Sequence, residues 1–172
     1  LVISIQVHGI IKKGYSLKRS GACVGDKVYV SGNLGDGAGA LPLVLKDPYL
    51  HTELTARYHK PYPQINYGQS LLGIASACLD ISDGLIQDLN HICKSSSVGM
   101  VIDSRKIPLS EALLQGYSKQ QALNYALSGG DDYQLAYTAR HCDKGLCIGE
   151  VVKGSEVLLP GLEIQDNGFQ HF

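Results

Sequence analysis

Residues 77–93 read ACLDISDGLIQDLNHIC, and the stretch changes character in its middle. Its first part, CLDIS, has the look of a short buried strand or turn. From Leu85 onward the apolar residues follow a helical period: Leu85, Leu89 and Ile92 fall at i, i+4 and i+7, with Ile86 and Cys93 beside them. That spacing predicts one stripe of an amphipathic helix running to about Ser96. At the junction stand three oxygen-bearing side chains, Asp80, Ser82 and Asp83. If residues 80–82 are extended, Asp80 and Ser82 project from one face, because side chains alternate along a strand. Asp83 suits the N-cap of the helix, where a side-chain oxygen accepts a free backbone N–H. Two explanations of this crowding compete. One is a cap with a solvated neighbour. The other is a site for a hard cation and phosphate at the positive end of the helix.

Working outward, LVISIQVHGI (1–10) alternates, with Val2, Ser4, Gln6 and His8 interleaved with Ile3, Ile5 and Val7, which predicts a strand. KVYVSG predicts a second strand from Lys27 to about Ser31. GNLGDGAGALPLVLK predicts a glycine-dense turn and then an apolar helix, broken or bent near Pro42. The segment 46–69 reads as helix plus irregular loop, and GQSLLGIASACLD as helical in its first half. Beyond the central stretch come the strand VGMVID, short helices in SEALLQG and SKQQALNYAL, the turn SGGDD, the strands YQLAYTA and LCIGEVV, and a polar tail. Strands and helices mix without strict βαβ alternation. The expected class is therefore α+β, with a mixed, largely antiparallel sheet covered by helices, in a single domain over 1–172.

Composition narrows the function. The chain has 172 residues, 44% hydrophobic and 18% charged, with a formal net charge of −1. Near-neutral charge recommends neither a nucleic acid nor an anionic membrane as partner. No apolar run approaches the roughly 20 residues of a membrane span. Any phosphate must therefore be held locally, by metals, backbone amides and a few cations. The opening segment lacks the basic and small-residue parts of a signal peptide. The single methionine is Met100, so a chain that begins inside a strand is expected to be a fragment or a processed product. The five cysteines, at 23, 78, 93, 142 and 147, are odd in number and show no C-x-x-C. They predict reduced, mostly buried thiols in a cytoplasmic protein rather than a zinc site.

Four further features bear on chemistry. SGGDDYQL (128–135) is a second acidic turn, with Asp131 and Asp132 before a strand. With DISDG it places four carboxylates at element boundaries, where functional groups tend to sit. SGNLGDGAGAL could aim amides at an anion, but it matches no nucleotide-loop motif and reads better as a tight, closely packed turn. Lys18 and Arg19 form a basic loop, and an arginine fork matches phosphate oxygens. The last five residues, GFQHF, hold both phenylalanines of the chain and suit either a terminal anchor or an aromatic wall for a flat cation.

In this order, KRSGACVGDKVYVSGNLGDGAGAL, DISDGLIQDLNHIC, LSGGDDYQLAYT, IGEV and GFQHF resemble the C-terminal half of the thiamine-monophosphate kinase family. That family is grouped with aminoimidazole ribonucleotide synthetase and selenophosphate synthetase. The resemblance implies that Asp80 and Asp83 are Mg²⁺ ligands and that Ser82 and Arg19 contact ATP. It further implies that Asp131 contacts thiamine monophosphate and that Phe169 lies against the substrate's rings. It implies an N-terminal domain, absent from these 172 residues, that carries more of the metal and nucleotide site, and a homodimer when full length. The chain departs from the family pattern at three positions. Asp131 stands for a glutamate, Gln64 for a frequent arginine, and Gln170 for the acid of the terminal motif.

The implied reaction moves the ATP γ-phosphoryl to thiamine monophosphate, giving thiamine diphosphate and ADP. Donor and acceptor are both anions, so Mg²⁺ between carboxylates and phosphate oxygens relieves their repulsion. The acceptor is already ionised, and positioning with electrostatics suffices without a strong general base. On this basis the isolated chain is expected to be nearly inactive. Two alternatives stay open: another ATP-using enzyme of the same superfamily, and a non-catalytic ligand-binding domain with this fold.

Overall fold

The computed structural model describes residues 2–162. Their strands are β1 (Lys27–Val30), β2 (Ala77–Asp80), β3 (Gly99–Ile102), β4 (Leu135–Ala139), β5 (Leu146–Val152) and β6 (Val157–Leu158). Together they make one sheet in the order β2-β4-β1-β5-β3-β6. Only the β3–β6 pair is parallel among these; β2–β4, β4–β1, β1–β5 and β5–β3 are antiparallel. The helices are α1 (Asp36–Lys46), α2 (Glu53–His59), α3 (Ile65–Ser70), α4 (Leu85–Ser96), α5 (Glu111–Gly116) and α6 (Lys119–Ser128). The chain thus forms the expected α+β fold with a mixed, largely antiparallel sheet. No helix among the described residues is long and apolar enough to cross a membrane.

Strand alternation divides the sheet into two faces. Val28, Val30, Leu79, Met100, Ile102, Ala136 and Ile148 face the main core, where Leu85, Leu89 and Ile92 of α4 cover them. Each of those three α4 side chains is 0% exposed, a burial that contributes about 1.5–3 kcal/mol per side chain. Tyr29, Cys78 and Tyr137 point the other way, against Leu71. Tyr29 and Tyr137 are cross-strand partners whose rings stack with centroids 5.3 Å apart. A third cluster, Ala40, Leu54, Leu113 and Ala122, joins α1 to α2, α5 and α6. Ser110 and Ser118 cap α5 and α6, their hydroxyls accepting from Leu113 N and Gln121 N.

Five local expectations fail in whole or in part. Residues 2–10 form no strand; Val2, Ile3, Ile5 and Val7 are exposed, and their backbone pairs with no strand among the described residues. Pro42 does not break α1, which runs through it, because an exposed helix face loses only one backbone bond there. The helix before β2 ends at Ser70, and the chain turns through Gly73 at φ 78°. Asp83 does not cap α4. The cap is Gly84 at φ 118°, where an added Cβ would lie 2.8 Å from the Ser128 carbonyl oxygen. The cysteines are free as expected but not mostly buried: Cys78 and Cys93 are buried, while Cys23 and Cys147 are exposed.

Candidate functional site

The loop after β2, the turn after α6 and the start of α1 meet at one end of the sheet. The turn's backbone lies directly on the loop: Tyr133 N–H donates to Ile81 O at 2.9 Å, and Asp131 N–H donates to Ser82 O at 3.0 Å. Asp131 and Tyr133 both adopt positive φ, 65° and 50°, an uncommon conformation that concentrates at functional turns. Gly130 is required for this contact, since a Cβ there would lie 2.3 Å from the Ser82 carbonyl oxygen. The Tyr133 hydroxyl donates to Asp131 Oδ1 at 2.9 Å and holds that carboxylate.

Asp132 joins the turn to α1. Its carboxylate accepts the N–H of Gly35 at 2.7 Å and of Gly37 at 3.2 Å. The amides of Gly35 and Gly37 are therefore occupied by the protein's own acid rather than offered to a phosphate, which agrees with the packing explanation of SGNLGDGAGAL. Burial pushes the Asp132 carboxyl up to about 7, against the opposing pull of those amides. Asp36, 4% exposed, is paired with Arg57 and accepts the Ser110 hydroxyl at 2.5 Å. Asp36, Arg57, Lys60, Asp131 and Asp132 line a cavity of about 300 Å³.

Asp80, Ser82 and Asp83 occupy the end of β2 and the loop that follows. Asp80 is exposed, and Ser82 and Asp83 are half-buried. Neither the Asp80 nor the Asp83 carboxylate forms a salt bridge among the described residues, and both offer only hard oxygen donors. This is a donor set that suits Mg²⁺. Asp83 also groups with Asp88 and His91, whose ligand atoms all lie within 4.8 Å of one another. Asp80 and Tyr133 share a second cavity, of about 420 Å³, with Leu17, Gln64 and Ile65.

The segment bearing Arg19 runs alongside β2, where Lys18 O accepts the N–H of Cys78 at 2.7 Å, two positions before Asp80. The Arg19 carbonyl accepts the hydroxyl of Ser96, the last residue of α4, at 3.3 Å. Phe169 lies outside the described residues. Sequence patterns passed over Asp88, whose carboxylate accepts the N–H of Ser82 at 3.0 Å and of Asp83 at 3.1 Å. The signal was an acid in the first turn of the helix, five residues after Asp83.

Residues 24–157 match the family described as AIR synthase related protein, C-terminal domain. Thiamine-monophosphate kinase of Escherichia coli is 40% identical over 100% of the chain and 60% of its own length. That of Salmonella typhimurium is 37% identical over 100% of the chain and 60% of its own length. The chain thus spans 60% of the length of these curated relatives. A structure of AaThiL complexed with AMPPCP and TMP superposes with a TM-score of 0.82 at 36% identity, covering 91% of the chain and 54% of that protein. Thiamine-monophosphate kinase from Stenotrophomonas maltophilia gives 0.80 at 34% identity, covering 88% and 55%. A match over residues 24–157, with its loop, turn and helix start interlocked as described, means that the chain belongs to the family of AIR synthase related proteins, as their C-terminal domain.

Proposed function

We propose that the chain is the C-terminal part of a thiamine-monophosphate kinase, which transfers the γ-phosphoryl group of ATP to thiamine monophosphate and releases thiamine diphosphate and ADP. The observation that carries this is the likeness to AaThiL complexed with AMPPCP and TMP, at 36% identity over 91% of the chain. In this proposal Asp80 and Asp83 hold Mg²⁺, Ser82 and Arg19 contact ATP, and Asp131 and Phe169 contact thiamine monophosphate. Mg²⁺, when bound, would neutralise phosphate charge between donor and acceptor.

The chain's own contribution is orientation. The hydrogen bond from Asp131 N–H to Ser82 O ties the acceptor-side turn to the phosphate-side loop, so the two cannot drift apart. Fixing reactants in this way removes the entropy of their encounter from the barrier. An N-terminal domain outside these 172 residues would complete the site. The full protein would be a cytoplasmic homodimer, and the 172-residue chain alone nearly inactive.

In the full-length protein, Asp80→Asn and Asp83→Asn should each lower turnover by about 10²–10³-fold, the scale of losing one preorganised electrostatic contact. Circular dichroism should show both variants folded. Near wild-type turnover in both would sink the metal assignment. ATP consumption with another acceptor, and none with thiamine monophosphate, would favour a different enzyme of the superfamily.

A further inference from the structure

The loop that bears Ser82 and Asp83 lies outside the strand ladder and ahead of the helix, so its backbone polar groups need other partners. Its carbonyls find them on the turn, where Ile81 O and Ser82 O accept the N–H groups of Tyr133 and Asp131. The Ile81 N–H donates to Gln134 O at 2.7 Å, and the next two amides share a single atom. Asp88 Oδ2, on the first turn of α4, accepts both Ser82 N–H at 3.0 Å and Asp83 N–H at 3.1 Å. Asp88 is 3% exposed, so this is an interior fastening rather than a surface contact. Ser82 is thereby gripped from both sides, N–H by Asp88 and C=O by Asp131.

We propose that Asp88 is a positioning residue: it holds the backbone of Ser82 and Asp83 in one conformation, so that their side chains are set before an ion or phosphate arrives. The inference rests on the kinase proposal for what the loop binds, but not for the fastening itself. A carboxylate is the right group for the task. One charged oxygen can accept two amide donors, and such charge-assisted bonds are about twice as strong as neutral ones. The grouping of Asp83, Asp88 and His91 within 4.8 Å suggests a competing role for Asp88 as a direct metal ligand. The two amides engage Oδ2 alone and leave Oδ1 open, so the contrast between Asn and Ala at this position separates the two roles. Partners that orient a metal ligand typically contribute 10–100-fold in affinity or activity.

Two variants and one exchange measurement on the full-length protein decide the matter. Asp88→Ala should raise the Mg²⁺ concentration for half-maximal turnover by at least about tenfold, with the KM for thiamine monophosphate moving far less. Asp88→Asn keeps an oxygen acceptor for both amides and should recover most of that loss. A direct metal ligand would instead make Asn as damaging as Ala, and that result overturns the proposal. So does an Ala variant with an unchanged Mg²⁺ requirement. If the Ala variant does not fold, hydrogen exchange in the Mg²⁺-free wild type and in Asp88→Asn decides. The Ser82 and Asp83 amides should be protected in both, and exchange at the rate of an open loop in the wild type would overturn the fastening. Exchange does not depend on turnover, so protected amides in a protein without thiamine-monophosphate kinase activity would count against the kinase proposal alone.

Discussion

At the scale of single residues, the site is held by acids that do not themselves face a ligand. Asp132 illustrates the consequence for pH. Its folded-state value of about 7 stands above the ordinary 3.8 of the free carboxyl, so the folded chain keeps a proton that the unfolded chain has released. The contribution of Asp132 to stability is therefore fully present below about pH 4 and is lost as pH rises through about 7. Thermal unfolding of Asp132→Asn should show a shallower decline over that window than the wild type; an equal decline would refute the assignment. Gly130→Ala tests the other side of the same turn. Its Cβ would meet the Ser82 carbonyl oxygen at 2.3 Å, and overpacking of this kind costs roughly 1–3 kcal/mol. Denaturant unfolding should register that loss. Little of this was legible in the residues. DISDG and SGGDD stood out as acid-rich turns, but which acid caps which amides depends on contacts such as Asp132 to Gly35, 97 positions apart.

At the scale of elements, local pattern was a better guide. The stripe Leu85, Leu89, Ile92 lies inward, as its spacing requires, and the serines at 110 and 118 start helices as their chemistry predicts. Leu89→Ala should cost about 2–5 kcal/mol, and Ser118→Ala about 1 kcal/mol through the lost cap. Chemical denaturation can rank the two, and a larger loss for the serine would contradict the burial argument. Alternation misled at residues 2–10, because period two describes a strand only where a neighbour supplies its hydrogen bonds. Pro42 misled in the opposite sense: one missing N–H on an exposed helix face is tolerated when the rest of α1 is anchored by Ala40 and the Asp132 contacts. The cap at Asp83 failed because the helix starts one residue later than its chemistry suggests, with Gly84 in the cap position and Asp83 outside it.

At the scale of the whole molecule, the sheet order β2-β4-β1-β5-β3-β6 explains why the acids converge. β4 lies between β1 and β2, so the turn leading into β4 must cross the end of β2. No local pattern carries that information, since it arises from pairing between strands more than 50 residues apart. The order of motifs along the chain was legible as a family resemblance, and the match over residues 24–157 supports it. The central claim, that this chain is the C-terminal part of a thiamine-monophosphate kinase, is tested most directly by assaying the full-length protein with ATP, Mg²⁺ and thiamine monophosphate. Thiamine diphosphate and ADP should form in equal amounts, with no comparable product from other phosphorylated acceptors. A folded full-length protein that consumes no ATP with thiamine monophosphate, or forms ADP without thiamine diphosphate, would contradict it.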